Sequence, residues 1–333
     1  MRIGKIPVNV LKRSILRELH NPKGNEVIRG AEVGADNALL RLNMRETAVM
    51  NTQSYQAHSE CFAAMAVYRA VNNLVCDGAK PIAVTVAFTL PKQFSEQRLK
   101  SYMQAITKVA AECNIDIVGG DTKIFGGVTT PVVTVTGIGR VCHNKNMNSR
   151  KVTAGQELVV SKWIGMEGAV LLAKEKEEEL RQRYPYAMME VVKGLDRGLS
   201  VCAEAYFAAE AGAGGLHDLS EGGILGGLWE FAEHYRVGLE VELKKIPVKQ
   251  EIIEICEYFE LNPYALCSGG SLLMAVDEGD MLVQKLQEMG IRASVIGKVT
   301  KSNDRVIYNG DEKRYLDRPQ ADEIYKVCFS NSK

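Results

Sequence analysis

The sequence has no uninterrupted run of about 18 apolar residues, so no stretch of it reads as a membrane-spanning helix. Its first residues, MRIGKIPVNVLKRSIL, put charges inside the first apolar stretch and lack a small-residue cleavage site, so they do not read as a signal peptide. Charge of neither sign is in excess: Lys plus Arg and Asp plus Glu number 41 each. That balance removes any global electrostatic case for nucleic acid or an anionic membrane, while a local basic cleft could still hold phosphate. The eight cysteines contain no CxxC pair, and Cys113, Cys202 and Cys256 fall on expected buried helix faces. Reduced thiols in a cytoplasmic protein fit this pattern, and a disulfide framework or zinc site does not. Also missing are a GxxxxGKS or GxxxxGKT loop, an HRD and DFG pair, and an early GxGxxG. Any nucleotide must therefore be held by a less common arrangement.

With 46% hydrophobic and 25% charged residues the chain is globular in composition, and 333 residues are enough for two domains. Pro7 to His20 has helical spacing and ends at Asn21-Pro22-Lys23-Gly24, an N-terminal arm over 1–32. A first domain over 33–142 carries strand patterns at Ala38–Leu42, Thr47–Asn51, Ile82–Thr89, Asp116–Val118 and Thr130–Val141. Helices over Ser59–Asp77 and Ser95–Cys113 interleave with them, the former closed by Gly78 with Pro81 beyond. Residues 143–154 read as a linker. A second domain over 155–305 alternates strands (Glu157–Lys162, Gly215–Leu219, Val237–Leu243, Leu272–Val276, Ser294–Val299) with helices (from Met166, Leu199–Ala211, Ile224–Tyr235, Glu251–Phe259, Asp280–Met289). Residues 306–333 form a tail. The predicted class is α/β or α+β, with helices covering sheets on one side. The acidic run Lys174–Glu179 reads as a solvated helix face.

Three clusters could carry chemistry. Val118-Gly119-Gly120-Asp121-Thr122-Lys123 follows a strand, and its glycines let backbone approach a phosphate while Asp121 suits Mg²⁺ and Lys123 neutralises charge; a tight turn accounts for it equally well. His217-Asp218-Leu219-Ser220-Glu221-Gly222-Gly223 opens a helix, where free N–H groups suit an anion, or it is an ordinary cap led by Ser220 or Asp218. His217 itself reads as a strand residue. Cys267-Ser268-Gly269-Gly270-Ser271 precedes an apolar strand and either admits a ligand close to the backbone or is a plain loop.

Taken in order, these pieces resemble the AIR synthase-related superfamily, closest to its hydrogenase-maturation, HypE-like branch. The matching residues are Gly34-Ala35-Asp36-Asn37-Ala38; Val71-Asn72-Asn73 with Gly78-Ala79-Lys80-Pro81; Gly119 to Lys123; Asp218 to Gly223; and Ser268-Gly269-Gly270-Ser271. The resemblance implies a two-domain PurM-like fold whose N-terminal domains pair their sheets in a homodimer, with a C-terminal domain of α/β sandwich type. It implies ATP and Mg²⁺ as cofactors, and activation of an amide or carbonyl oxygen by phosphorylation or phosphoryl transfer to a small acceptor. Asp36 and Asp121 would hold the metal, Asp121, Lys123 and Asp218 would act in catalysis, and Asn73, Gly119, Gly120, Thr122, Glu221, Gly222, Gly223, Ser268 and Gly269 would line the nucleotide. A maturation partner protein and a small-molecule acceptor follow; nucleic acid and membrane do not. A protein that keeps the nucleotide and has lost turnover is the alternative. Three departures stand against the family pattern: Asn73 replaces an Asp, Met50-Asn51-Thr52-Gln53-Ser54 carries no carboxylate where a Thr-Asp pair is usual, and Cys328 is followed by five residues where the HypE type ends in cysteine.

Overall fold

The computed structural model describes residues 45–142 and 150–328, together with Val8, 27–29, 33–34 and 38–41. The helix read over Pro7–His20, most of the 143–154 linker, and Asp36 lie outside the described residues. The described chain divides into two compact units. The first holds 27–29, 38–41 and 45–142. The second holds 150–328 with Val8 and 33–34.

In the first unit a six-stranded sheet runs in the order β1 (Val27–Arg29), β2 (Ala38–Arg41), β3 (Glu46–Gln56), β6 (Val132–Cys142), β4 (Lys80–Leu90) and β5 (Asp116–Ile124). All neighbours are antiparallel except β4 and β5. Helices α1 (Glu60–Cys76) and α2 (Glu96–Glu112) pack together and cover one face. α1 is rich in Ala and Val and lies almost wholly buried, its Leu74 meeting Val49, Ala79 and Val141 in a core cluster. It stops at Gly78, whose φ of 73° lets the Gly78 N–H reach Val75 O at 2.9 Å and the Ala79 N–H reach Leu74 O at 3.2 Å. Ser95 caps α2 by accepting from the Arg98 N–H at 3.3 Å. β3 is longer than its sequence signal, and Thr52–Thr136 and Ser54–Thr134 hydroxyl pairs join it to β6 across exposed positions.

The strand expected to end at Val118 continues to Ile124 and takes Gly119 to Lys123 with it. Gly120 pairs with Val86, and a Cβ there would stand 1.8 Å from Val86 O. Glycine is thus the residue that allows β5 to lie against β4 at this register.

The second unit is built on a seven-stranded sheet in the order β13 (Glu312–Tyr315), β12 (Arg305–Asn309), β9 (Gly238–Glu242), β11 (Ala293–Thr300), β7 (Glu157–Ser161), β10 (Leu272–Val276) and β8 (Gly215–Asp218). Its helices are α3 (Met166–Glu175), α4 (Glu177–Arg181), α5 (Tyr186–Lys193), α6 (Cys202–Glu210), α7 (Gly223–Tyr235), α8 (Gln250–Tyr258), α9 (Gly279–Glu288) and the short α10 (Tyr325–Cys328). α7 contributes Ile224, Leu228, Phe231 and Ala232 to a core completed by Leu158, Val160, Leu273 and Ile296.

Several sequence expectations are corrected here. The 306–333 tail contributes a hairpin, β12–β13, to the sheet, and α5 carried no recognised signal. α6 begins at Cys202 rather than Leu199. The acidic run breaks at Lys176, and its Glu177 is tied to Lys193 at 2.5 Å and Arg181 at 2.6 Å. Cys256 is buried, whereas Cys113 and Cys202 are half-buried.

Replacing Gly120 by Ala drives a methyl group into the Val86 carbonyl. The expected outcome is a loss of about 2 kcal/mol in unfolding free energy, read from urea denaturation.

Candidate functional site

In the first unit the candidate residues stand on β5, an edge strand whose residues are exposed apart from the half-buried Ile117. Asp121 and Lys123, two residues apart, share one side of the strand, and the Lys123 Nζ lies 2.7 Å from Asp121 Oδ2. The hydrogen bond from Lys123 holds the Asp121 carboxyl below its usual range, and the same contact pushes the Lys123 ammonium upward. Both groups are therefore charged across the neutral range. Gly119 and Thr122 flank them on the same exposed strand.

Behind this sheet, α1 and β3 bury a polar array. Asn51 donates from Nδ2 to Ala70 O at 2.8 Å and its Oδ1 faces Gln53 Nε2 at 3.4 Å. Asn72 and Asn73 are buried on α1, as is Arg69, whose guanidinium stacks 4.5 Å over the Tyr55 ring. The amide at 51 has a structural reason: a carboxylate there would face the Ala70 carbonyl oxygen with no proton to offer.

In the second unit the Asp218–Gly223 turn and the Cys267–Ser271 loop are joined into one assembly. Asp218 ends β8 opposite Leu272 of β10 and is buried, and its neighbour His217 lies with Nε2 3.6 Å from Glu230 Oε2. The Ser268 N–H donates to Ser220 O at 3.1 Å and the Leu219 N–H to Ser271 O at 3.1 Å. Ser268 Oγ accepts from Gly165 N at 2.8 Å and donates to Leu266 O at 2.9 Å. The Gly269 N–H reaches Glu167 Oε2 at 3.2 Å.

Gly222 and Gly223 both have positive φ, 86° and 60°. A Cβ on Gly223 would lie 2.6 Å from Tyr264 O and 2.7 Å from Leu266 O, so this glycine admits the neighbouring loop. The anion that the start of α7 invites is supplied by the chain itself. Asp322, 2% exposed, accepts the Gly222 N–H on Oδ2 at 2.6 Å, and on Oδ1 the N–H groups of Cys267 at 3.2 Å and Ile324 at 2.9 Å. Glu221 meets the Tyr325 hydroxyl at 3.2 Å.

The structure therefore brings Asp121, Thr122 and Lys123 together with Gly119 and Gly120 on β5, and unites Asp218, Glu221, Gly222, Gly223, Ser268 and Gly269 in the second unit. Asp322 and Glu167 were not singled out from sequence. Each acts on backbone more than 50 residues away in the chain, and no local pattern marks such a residue.

A six-stranded sheet under two helices, followed by a helix-covered seven-stranded sheet whose glycine turns meet, is the two-part α/β architecture of a PurM-like protein. Residues 34–141 match the family described as AIR synthase related protein, N-terminal domain, and residues 153–309 match its C-terminal domain. The chain belongs to the AIR synthase-related family. A Methanocaldococcus jannaschii protein named for hydrogenase expression and formation is 28% identical over 98% of this chain and 97% of its own. The carbamoyl dehydratase HypE of Rhodobacter capsulatus is 26% identical over 79% of this chain and 78% of its own. Among solved structures, HypE in complex with ATP superposes with a TM-score of 0.71 at 21% identity over 96% of both chains. A HypE–HypF complex superposes with a TM-score of 0.71 at 22% identity over 93% of this chain and 99% of that one.

Two substitutions test these assignments. Asp322→Ala leaves three buried N–H groups without their acceptor, and a loss of about 3 kcal/mol in urea unfolding is expected. Asn51→Asp should destabilise by about 2 kcal/mol at neutral pH. Repulsion and burial raise that carboxyl's folded-state pKa, so the deficit shrinks as pH falls into the carboxylate range, where a protonated group can donate to Ala70 O again. A pH series of thermal melts reads the sign.

Proposed function

We propose that this chain is an ATP-binding, magnesium-dependent enzyme that activates an amide or carbonyl oxygen by phosphorylation, or passes phosphate to a small acceptor, in the service of hydrogenase maturation. The near full-length similarity to a hydrogenase expression and formation protein and to carbamoyl dehydratase HypE supports the process. The likeness to ATP-bound HypE supports the fold.

The observation that carries the reading is the Asp121–Lys123 pair on an open strand edge. A carboxylate and an ammonium in contact, exposed and both charged, offer one group to magnesium and one to phosphate. No cluster of three or more His, Cys, Asp or Glu suited to a metal stands among the described residues. Magnesium on a nucleotide takes one or two carboxylates with phosphate oxygens completing the shell, so Asp121 fits that role, with Asp36 as the second carboxylate the family pattern assigns. When bound, the magnesium nucleotide supplies the phosphoryl group and spreads its charge. Lys123 neutralises phosphate, Gly119, Gly120 and Thr122 present the strand backbone beside it, and Asn73 stands as a neutral contact. Asp218 anchors the second-unit turn through its strand pairing.

The acceptor is an external small molecule rather than the Cys328 thiol. Cys328 sits on α10, and burial pushes its thiol up to about 12, so it stays protonated at neutral pH and is a poor nucleophile. The β5 edge carries Val118 and Ile124, 60% and 61% exposed, beside the half-exposed Phe125. A second copy pairing sheets at this unit would cover them, and a maturation partner protein would act on that dimer in the cytoplasm.

The neutral Asn51 and Asn73, where the family pattern has carboxylates, favour a second reading in which the nucleotide binds without turnover. Phosphate release from ATP and Mg²⁺, with candidate amide acceptors, separates the two. Wild type should turn over and Asp121→Asn should fall about a hundredfold. Equal rates remove Asp121 from the mechanism, and tight ATP binding without turnover selects the second reading.

A further inference from the structure

Away from β5, the second unit contains a cavity of about 420 Å³ between the start of α7, the 262–265 loop and the chain that follows β13. That volume lies in the range of small-molecule sites. Its walls are apolar, with Leu225, Leu243, Ile307 and Leu316 among them.

Gly226 forms part of the floor. It lies inside a helix, where glycine is destabilising by roughly 1 kcal/mol relative to alanine. Packing does not require it: a Cβ would meet Glu221 O at an ordinary 3.5 Å. A side chain at 226 would instead fill the cavity. The helix thus keeps a void open at the expense of its own stability.

The polar groups at the cavity are not all satisfied by the chain. Arg314 is held by Glu312 at 2.7 Å and 2.9 Å, and Glu323 by Lys326 at 2.6 Å and the Asn262 N–H at 3.0 Å. Arg318 and its neighbour Asp317 are exposed and have no side-chain partner among the described residues. The Tyr264 hydroxyl is half-buried, and burial alone pushes it upward, with no hydrogen bond contributing.

We propose that this cavity is a binding site for a small zwitterion with an apolar body, the chemistry of an apolar or aromatic α-amino acid. Its side chain fills the space above Gly222 and Gly226, its carboxylate pairs with Arg318, its ammonium with Asp317, and Tyr264 adds a hydroxyl. A net anion would leave Asp317 repelled at the rim, and a net cation would do the same to Arg318. The site uses neither Asp121 nor Lys123 and survives the failure of the nucleotide assignment made to them.

The test uses the full-length chain and L-phenylalanine as probe, followed by saturation-transfer NMR and calorimetry. 3-Phenylpropanoate and 2-phenylethylamine serve as comparators that each lack one charge. Saturable binding of L-phenylalanine, at least tenfold tighter than either comparator, is expected. Gly226→Leu should abolish it, and Arg318→Gln, an exposed change that leaves folding intact, should weaken it about tenfold. No saturable binding to wild type, or binding unchanged in both variants, overturns the site; comparators that bind as well as L-phenylalanine overturn its zwitterion chemistry.

Discussion

The parallel pairing of β5 with β4 is the constraint on which the functional reading rests. At Gly120 the two backbones come so close that no side chain fits against Val86 O. The same approach fixes the register of the next three residues. Thr122 then pairs with Phe88 and Lys123 with Thr89, while Asp121 and Lys123 meet at the rim of the sheet. Since β5 is last in the sheet order among the described residues, the strand that bears the charges lies at an edge of the sheet. Structure and chemistry coincide because one glycine serves both.

The second unit solves a different problem. Two glycine-rich segments, 218–223 and 267–271, must meet although neither can bury much side-chain surface. Buried carboxylates substitute for that missing surface: Asp322 gathers N–H groups from the 218–223 turn, the 267–271 loop and Ile324 just before α10, while Glu167 holds Gly269. Charged acceptors make stronger hydrogen bonds than neutral ones, and burial removes the competing water. The consequence for function is that the Gly222 N–H, which a helix start would otherwise present to phosphate, is already engaged. The edge strand β13 shows a related economy, since Glu312, Lys313 and Arg314 put charge along an unpaired ladder.

Much of this was legible in the sequence. Helices such as α1, α8 and α9 announce themselves by apolar spacing and terminal signals, and the ordered glycine motifs gave the family. The Gly119-Gly120 step was read as following a strand, as a phosphate approach or a tight turn; the proximity of β4 shows why it continues the strand. The β12–β13 hairpin had a usable signal in Val306-Ile307 followed by Gly310-Asp311, the two residues that turn the chain between Asn309 and Glu312, yet its charged second strand hid it. Asp322 had none, because Gly222 and Cys267, which it ties together, come from segments distant in the chain. The amide at Asn51, which sequence registers as a lost carboxylate, is explained by the Ala70 carbonyl it faces.

The central claim is that Asp121 and Lys123, displayed on the β5 edge, are the part of the first unit that meets a magnesium nucleotide. Hydrogen–deuterium exchange over residues 116–124, with and without ATP and Mg²⁺, addresses it most directly. Slower exchange in that segment on adding the nucleotide is the predicted result; exchange unchanged there at saturating ATP would contradict it.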